Sequence, residues 1–522
     1  IHFVSTHQAI FHFLALVTLL APAAGSLVLV LLSISGVRPS ERWVAVVSGT
    51  TVSTGALAAV LLGIVALLPP KTEYHEVLWR MYSVGHYHLD ISVYVDRLSA
   101  ILTALAGCVI PVLARFSGRY LHREPGYLRF FVLMGVASTG FFWFVLGGGL
   151  DMAFFGWELL GLSSALLVCF FWERTETVVA SGRVFATYRV ADIALLMGMV
   201  LLHHYVGDVS WPTVLGFGGD DVGFRPGAIG ANILGLAFLI AAMGKSALMP
   251  LSGYILRAME GPTPSSALFY GTLSIHCGVY LILRIEPLLE YAPVARGAVV
   301  FVGLFTAIAL SLSARVRADA KGALALSSAA QAGLIVAEGG MGWTDFAMFH
   351  LLAHGLLRLA QFLRSPSWLE DAQKRRSSLG GGAFRSGSYM ENGLPRPLRD
   401  LLYAAALSRF GIDAFIDGLF TRPLSRIAHL VSAPRPRIRS AESWAASMIL
   451  RASVSARAST SVFARSTSSA WPCNWRSAMA RPPMRTSWPA ASEVRSMSLR
   501  DSRQAGGQGT GPRTARPAVQ VV

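Results

Sequence analysis

Apolar residues run along most of the chain in blocks of roughly 20, the length an α-helix needs to cross a bilayer. Short segments rich in Arg, Pro and Gly separate them. By hydropathy the blocks fall near residues 9–35, 43–68, 94–114, 128–147, 149–171, 184–205, 227–250, 265–283, 297–314, 322–340 and 343–363. Only helices and closed barrels satisfy their own backbone polar groups inside lipid. Alternating ten-residue strand patterns are absent, so the blocks predict an all-α polytopic transmembrane helix bundle of about 11 spans. One block is interrupted. The run Ile229–Met243 ends in Gly244-Lys245-Ser246-Ala247-Leu248-Met249-Pro250, and Met259-Glu260-Gly261-Pro262-Thr263-Pro264-Ser265-Ser266 follows shortly after. A discontinuous helix is therefore predicted near Lys245 to Pro264.

Composition agrees with a membrane protein. The 522 residues are 53% hydrophobic and only 14% charged, with mean hydropathy +0.51, whereas about a quarter of the residues in soluble domains are charged. The opening stretch, Ile1 to Val30, has no basic n-region and its apolar run outlasts a signal peptide, so it reads as a retained first span. An initial Ile in place of Met points to a fragment or an unusual start. The four cysteines, Cys108, Cys169, Cys277 and Cys473, show no CxxC spacing, which argues against an encoded iron–sulfur cluster or structural zinc.

Alternate loops differ in basic charge. One set carries 11 basic residues (Arg38, Arg42, Arg115, Arg119, Arg123, Arg174, Arg183, Arg257, Arg315, Arg317 and Lys321), the other five (Lys71, Arg80, Arg225, Arg284 and Arg296). By the positive-inside bias the N-terminus lies outside and the C-terminal region in the cytosol. Four regions follow: N-terminal transmembrane helices over 1–93, a helical core over 94–364, a cytosolic linker with amphipathic helices over 365–436, and a tail over 437–522. The tail holds 13 arginines, no lysine and three acids among many serines, and accounts for 10 of the 16 net positive charges. It reads as disordered, and such a lysine-free run is also what a GC-rich gene yields out of frame. No nucleic-acid partner is expected from it, and the bilayer is the partner the spans themselves imply.

Ionisable groups inside the blocks carry the candidate chemistry, because a charge at a helix centre costs about 2.5 to 3.5 kcal/mol on insertion scales. Lys245 ends its apolar run beside a backbone break; the plain alternative is a lysine that snorkels to the interface. Glu158, in Phe154-Phe155-Gly156-Trp157-Glu158-Leu159-Leu160-Gly161, sits near the bilayer midplane, with a protonated packing role as its alternative. Arg189 and Asp192 are three apart and share a helix face, which allows a local salt bridge or an Asp192 facing Glu158 or Lys245. Lys245 is the counter-ion expected for Glu158; a proton reaching the carboxylate would release one from the lysine. His276 lies inside a later span, where packing and relay readings both stand. His350, His354 and Arg358 recur every four residues, which stacks them on one face as a polar stripe beside a hydrated path. No HExxH pattern and no third ligand accompany the histidines, so a metal site is not expected. Asp319 and Lys321 read as loop charges at the mouth of the tenth span unless the helix begins earlier.

Six of these elements together form a recognisable set. Trp157-Glu158-Leu-Leu-Gly161-Leu-Ser-Ser, Arg189-Val-Ala-Asp192, Gly244-Lys245-Ser246-Ala, Met259-Glu-Gly-Pro-Thr-Pro264, Asp319-Ala-Lys321 with Ser327-Ser-Ala-Ala-Gln331, and His350-Leu-Leu-Ala-His354 resemble the proton-conducting, antiporter-like subunits of respiratory complex I and the multisubunit cation/proton antiporters. The resemblance covers about residues 90–365. The run from Glu260 through Tyr270 to His276, the Tyr188–Asp192 element and Gln361-Phe-Leu-Arg364-Ser-Pro look most like the membrane subunit of the bacterial two-component inorganic carbon transporter. That resemblance implies a transporter subunit of the bacterial inner membrane in which proton flow drives CO2 hydration to bicarbonate. A large cytosolic partner similar to a zinc β-carbonic anhydrase would do the hydration, with zinc in the partner and no cofactor in this chain. It implies Glu158 and Lys245 as the coupled pair and His276, His350 and His354 as relay groups. The alternative is an antiporter-like subunit of NADH-quinone oxidoreductase or of a multisubunit cation/proton antiporter. Two departures stand out: Arg358 replaces the usual lysine after the paired histidines, and no apolar run of span length follows residue 363.

Overall fold

The computed structural model describes residues 2–37, 39–68, 73–84, 87–216, 227–367, 393–416 and 418. The tail over 437–522 and most of the linker over 365–436 lie outside the described residues. Among those described, 11 helices are long and apolar enough to cross a membrane. They are α1 (His2–Ile34), α2 (Glu41–Leu67), α3 (Arg97–Tyr120), α4 (Tyr127–Leu146), α5 (Leu150–Val168), α6 (Thr175–Val206), α7 (Ala228–Lys245), the composite α8 (Thr263–Arg284), α9 (Pro293–Arg315), α10 (Ala320–Gly340) and α11 (Thr344–Arg364). Burial sorts them. The most apolar stretch of α8 is wholly enclosed, whereas α6 and α9 bury only a third of theirs and turn the rest outward.

One feature departs from the expected all-helical pattern. Two strands, β1 (Tyr74–Val84) and β2 (Tyr87–Val95), pair antiparallel as a hairpin, Tyr74 with Val95 and Arg80 with Asp90. Its register shifts twice, between Val77 and Trp79 and between Arg80 and Tyr82. Each shift slips the two-residue alternation by one position, which hides the strand signature in the sequence. The hairpin caps one end of the bundle, here termed the hairpin face. Gly147–Gly149 run between β2 and the segment before the short helix Trp211–Leu215: the Gly148 amide donates to Ser92 O (2.8 Å) and the Trp211 amide to Gly148 O (2.9 Å). A Cβ on Gly148 would meet Ser92 Oγ at 2.3 Å, so only glycine fits.

A buried ion pair fastens the cap. Asp96 caps α3 through a reciprocal box with Ser99, and its other oxygen takes Arg284 Nη1 at 2.5 Å. Arg284, 1% exposed, is enclosed by the rings of Tyr94, Trp211 and Tyr280, each 5.0–5.2 Å from the guanidinium.

Midway through the bundle the helix breaks where expected, beside the middles of the neighbouring spans. α7 stops at Lys245, with Ala247 left-handed (φ 52°) and the Leu248 amide bonded to Met243 O at 2.9 Å, the six-to-one closure of a helix C-terminus. Two short 3₁₀ turns, Leu251–Tyr254 and Arg257–Glu260, lead into α8. Irregular backbone at membrane depth is tolerated only where protein satisfies it. Lys321, in the first turn of α10, does part of this: its ammonium donates to Met259 O and Gly261 O, both at 2.8 Å. Asp319 caps α10 by accepting the Gly322 amide (2.7 Å). Neither residue is the loop charge that the sequence suggests, because the helix begins at residue 320. In the linker region, the helices Arg396–Leu407 and Ile412–Ile416 are described. Arg409 between them reaches the carbonyls of Ser252 and Gly253 in the broken segment, both at 3.3 Å.

Candidate functional site

Two groups of polar side chains occupy the bundle interior. The first joins α5, α6 and α7. Lys245, at the last turn of α7 and 1% exposed, donates to the carbonyl of Trp157 at 2.7 Å. Its ammonium lies 4.4 Å from the Trp157 ring centre and 4.9 Å from that of Tyr188, contacts that favour a cation. The Trp157 indole N–H donates to Asp192 Oδ1 at 2.6 Å. Arg189 Nη2 then bridges Asp192 Oδ2 (2.7 Å) and Glu158 Oε2 (2.6 Å).

The expected direct pairing of Glu158 with Lys245 is therefore corrected. Glu158 and Trp157 are adjacent on α5 and point different ways: the glutamate turns to Arg189, and Lys245 takes the tryptophan's carbonyl. The order is Lys245, Trp157, Asp192, Arg189, Glu158, with two cations and two carboxylates. Its far end opens outward at an apolar cleft of about 320 Å³ lined by Phe155, Glu158, Leu159, Leu162, Phe185 and Arg189. Beside Lys245, the hydroxyls of Ser164, Tyr188 and Tyr270 cluster within 2.9–3.5 Å and carry polarity from α6 to α8.

The second group joins α8, α10 and α11. Within α8 a π-helical turn, Ala267–Thr272, shifts the hydrogen-bond register. The His276 amide bonds to Leu273 O at 3.0 Å, which frees the Thr272 carbonyl, and His276 Nδ1 donates to it. Such π-turns recur at functional sites. His276 Nε2 meets His354 Nδ1 at 2.9 Å, and His354 Nε2 accepts Arg358 Nε at 3.2 Å. Arg358 also donates to Gln361 Oε1 (2.8 Å). One turn along α11, His350 places Nδ1 at 2.9 and 3.1 Å from the two Glu338 oxygens and Nε2 at 3.0 Å from Gln331 Oε1. His350, His354 and Arg358 thus share one stripe of α11, but His354 faces α8 while His350 faces α10.

The structure brings Glu158, Arg189, Asp192 and Lys245 together, and separately His276, His350, His354 and Arg358. Asp319 and Lys321 stay apart, at the broken-helix end. Sequence reasoning passed over Trp157, which links three members of the first group, and Glu338, the buried acid of the second. Trp157 stands inside the quoted Trp157-Glu158 motif, which is a usable signal. Among the described residues no three His, Cys, Asp or Glu side chains gather as a metal site.

A broken, enclosed helix pair with titratable groups inside defines a polytopic antiporter-like membrane subunit. Residues 148–383 match the family described as NADH:quinone oxidoreductase/Mrp antiporter, TM, and residues 79–131 that described as NADH-Ubiquinone oxidoreductase (complex I), chain 5 N-terminus. The chain belongs to this complex I and Mrp antiporter-like family. It is 33% identical over 350 residues to NADH-quinone oxidoreductase subunit L of Pseudomonas aeruginosa, covering 67% of this chain and 56% of the relative. It is 32% identical over 320 residues to NAD(P)H-quinone oxidoreductase chain 5 of Synechocystis, covering 60% and 46%. The chain thus spans about half the length of these relatives. In fold it is similar to a chain of the Mrp complex from Dietzia (TM-score 0.53, 22% identity, covering 69% of this chain and 36% of that one). It is also similar to a chain of the archaeal membrane-bound sulfane sulfur reductase (TM-score 0.54, 17% identity, covering 67% and 70%).

Proposed function

We propose that the chain is a proton-translocating membrane subunit of a multisubunit complex of the NADH-quinone oxidoreductase or Mrp type, in a bacterial inner membrane with its linker region in the cytosol. The observation that carries this reading is the line from Lys245 through Trp157, Asp192 and Arg189 to Glu158. Each member touches the next, so a change of protonation at Glu158 alters the charge that holds Arg189, and through Asp192 and Trp157 the environment of Lys245. A methionine at 245 would fill the same space but could neither bond the Trp157 carbonyl nor carry a proton. The chain itself needs no cofactor for this role.

The test is proton flux in vesicles holding the native complex, comparing the parent with Lys245→Met and Glu158→Gln. Loss of flux by about a hundredfold, the scale of removing a proton-transfer group, with normal accumulation in the membrane, supports the proposal. Parental flux in both variants rejects it.

A second reading rests on the resemblance of the run from Glu260 to His276, the Tyr188–Asp192 element and Gln361-Phe-Leu-Arg364-Ser-Pro to the carbon-transporter subunit. Here proton flow would serve CO2 hydration by a large soluble partner resembling a zinc carbonic anhydrase. Purification from native membranes separates the two: redox or antiporter subunits travel with the chain in the first, a large zinc-containing hydratase in the second.

A further inference from the structure

The line from Arg358 to Thr272 has a fixed direction. An arginine only donates and a carbonyl only accepts. His354 Nε2 therefore accepts from Arg358, its proton sits on Nδ1 and points at His276 Nε2, and the proton of His276 sits on Nδ1 and points at Thr272 O. With both rings neutral every position on this line is filled. A proton added to it cannot leave through His354 Nε2, which faces an N–H that Arg358 does not give up. The way off His354 is a turn of its ring out of the line. His350 is the next ring, its centre 6.5 Å away and nearly perpendicular, too far for a direct hydrogen bond and on the scale that a single water would bridge.

His350 is held differently. With Nε2 donating to Gln331 Oε1, the pair of His350 Nδ1 and the Glu338 carboxylate holds one transferable proton between them. Glu338 is 4% exposed at its side chain and stands opposite His350, which is 20% exposed. It lies two residues before Gly340, the end of α10, hence about 3 Å along the axis from the helix terminus. The exposed Gly342 and Trp343 follow at once, and this terminus is at the hairpin face, where Arg97 of α3 pairs with Asp345 of α11 at 2.5 Å.

Building on the transport reading, we infer that Glu338 is the terminal proton carrier of this chain, the outlet through which His350 exchanges protons with the hairpin face. The proton held between His350 Nδ1 and Glu338 passes to a Glu338 oxygen, and the carboxyl releases it to water at the hairpin face. The emptied Nδ1 then takes a proton that left His354, carried by a water, which refills the pair; one proton enters and one leaves in each cycle.

The experiment measures proton flux per molecule of membrane-inserted complex for the parent, Glu338→Gln, Glu338→Asp and Lys245→Met. Glu338→Gln lowers flux by about a hundredfold and Glu338→Asp keeps most of it, since only the carboxylate exchanges protons. Flux within about twofold of the parent in Glu338→Gln, with Lys245→Met inactive, overturns the outlet and leaves the transport reading standing. An active Lys245→Met overturns both. Should Glu338→Gln fail to accumulate, His350→Gln, which cuts Glu338 off from His354, is read against the same two outcomes.

Discussion

The two polar groups of the bundle solve the problem of burial in opposite ways. Around Lys245, formal charges are gathered and balanced, two cations against two carboxylates, with an indole and a backbone carbonyl between them. Around His276 and His354, neutral rings are kept and every nitrogen is used once. The first arrangement tolerates a moving charge because a compensating one is always adjacent. The second tolerates a moving proton only by breaking a bond in a filled line. Charge balance and tautomer order are thus separate devices, and they fail differently when a member is removed.

The largest expected effect is at the charged group. Arg189→Leu strands Glu158 and Asp192 together, and stability should fall by about 3 kcal/mol, at the low end for an unpaired buried charge because Arg189 is partly exposed. Adding Glu158→Gln should recover about half of the loss by removing one stranded charge. Thermal unfolding in detergent checks both. No recovery in the double variant would mean that the two carboxylates do not share Arg189. The neutral line should respond less. His354→Asn keeps a polar group of similar reach, and about 1 kcal/mol should be lost, the net worth of one uncharged hydrogen bond. A loss as large as that of Arg189→Leu would show that the histidine line carries charge at rest.

The smallest effect lies outside the spans and serves as a reference for both. Burial alone would push the Asp96 carboxyl up, but the Arg284 guanidinium and the bonds from Ser99 outweigh it and hold the carboxyl below its usual range. A carboxyl held low contributes stability that is complete above about pH 4 and is lost as pH falls through its lowered value. The parent should therefore lose stability on strong acidification by one step that Asp96→Asn lacks, which an acid titration of the unfolding midpoint reads out.

Much of this was legible in the chain. Membrane-length apolar runs specify spans with little competition, and the Pro and Gly cluster after Lys245 marks the helix break. The hairpin was hidden by its two bulges. Glu158, Arg189, Asp192 and Lys245 stand out singly because each is an ionisable group in an apolar run. Their pairing does not, since it depends on how α5, α6 and α7 are rotated about their axes. Glu338 escaped notice because an acid beside Gly339 and Gly340 at the end of a span looks interfacial. Arg284 misled in the same way: counted as a loop charge by its position, it is among the most deeply enclosed side chains.

The bond between Asp96 and Arg284 joins positions 188 residues apart. A nascent chain leaving the ribosome exposes the carboxylate long before its guanidinium exists. The lid on that end of the bundle can be fastened only once the eighth span has been synthesised and inserted, so a truncation before it leaves seven helices with an unlatched end for quality-control proteases to find.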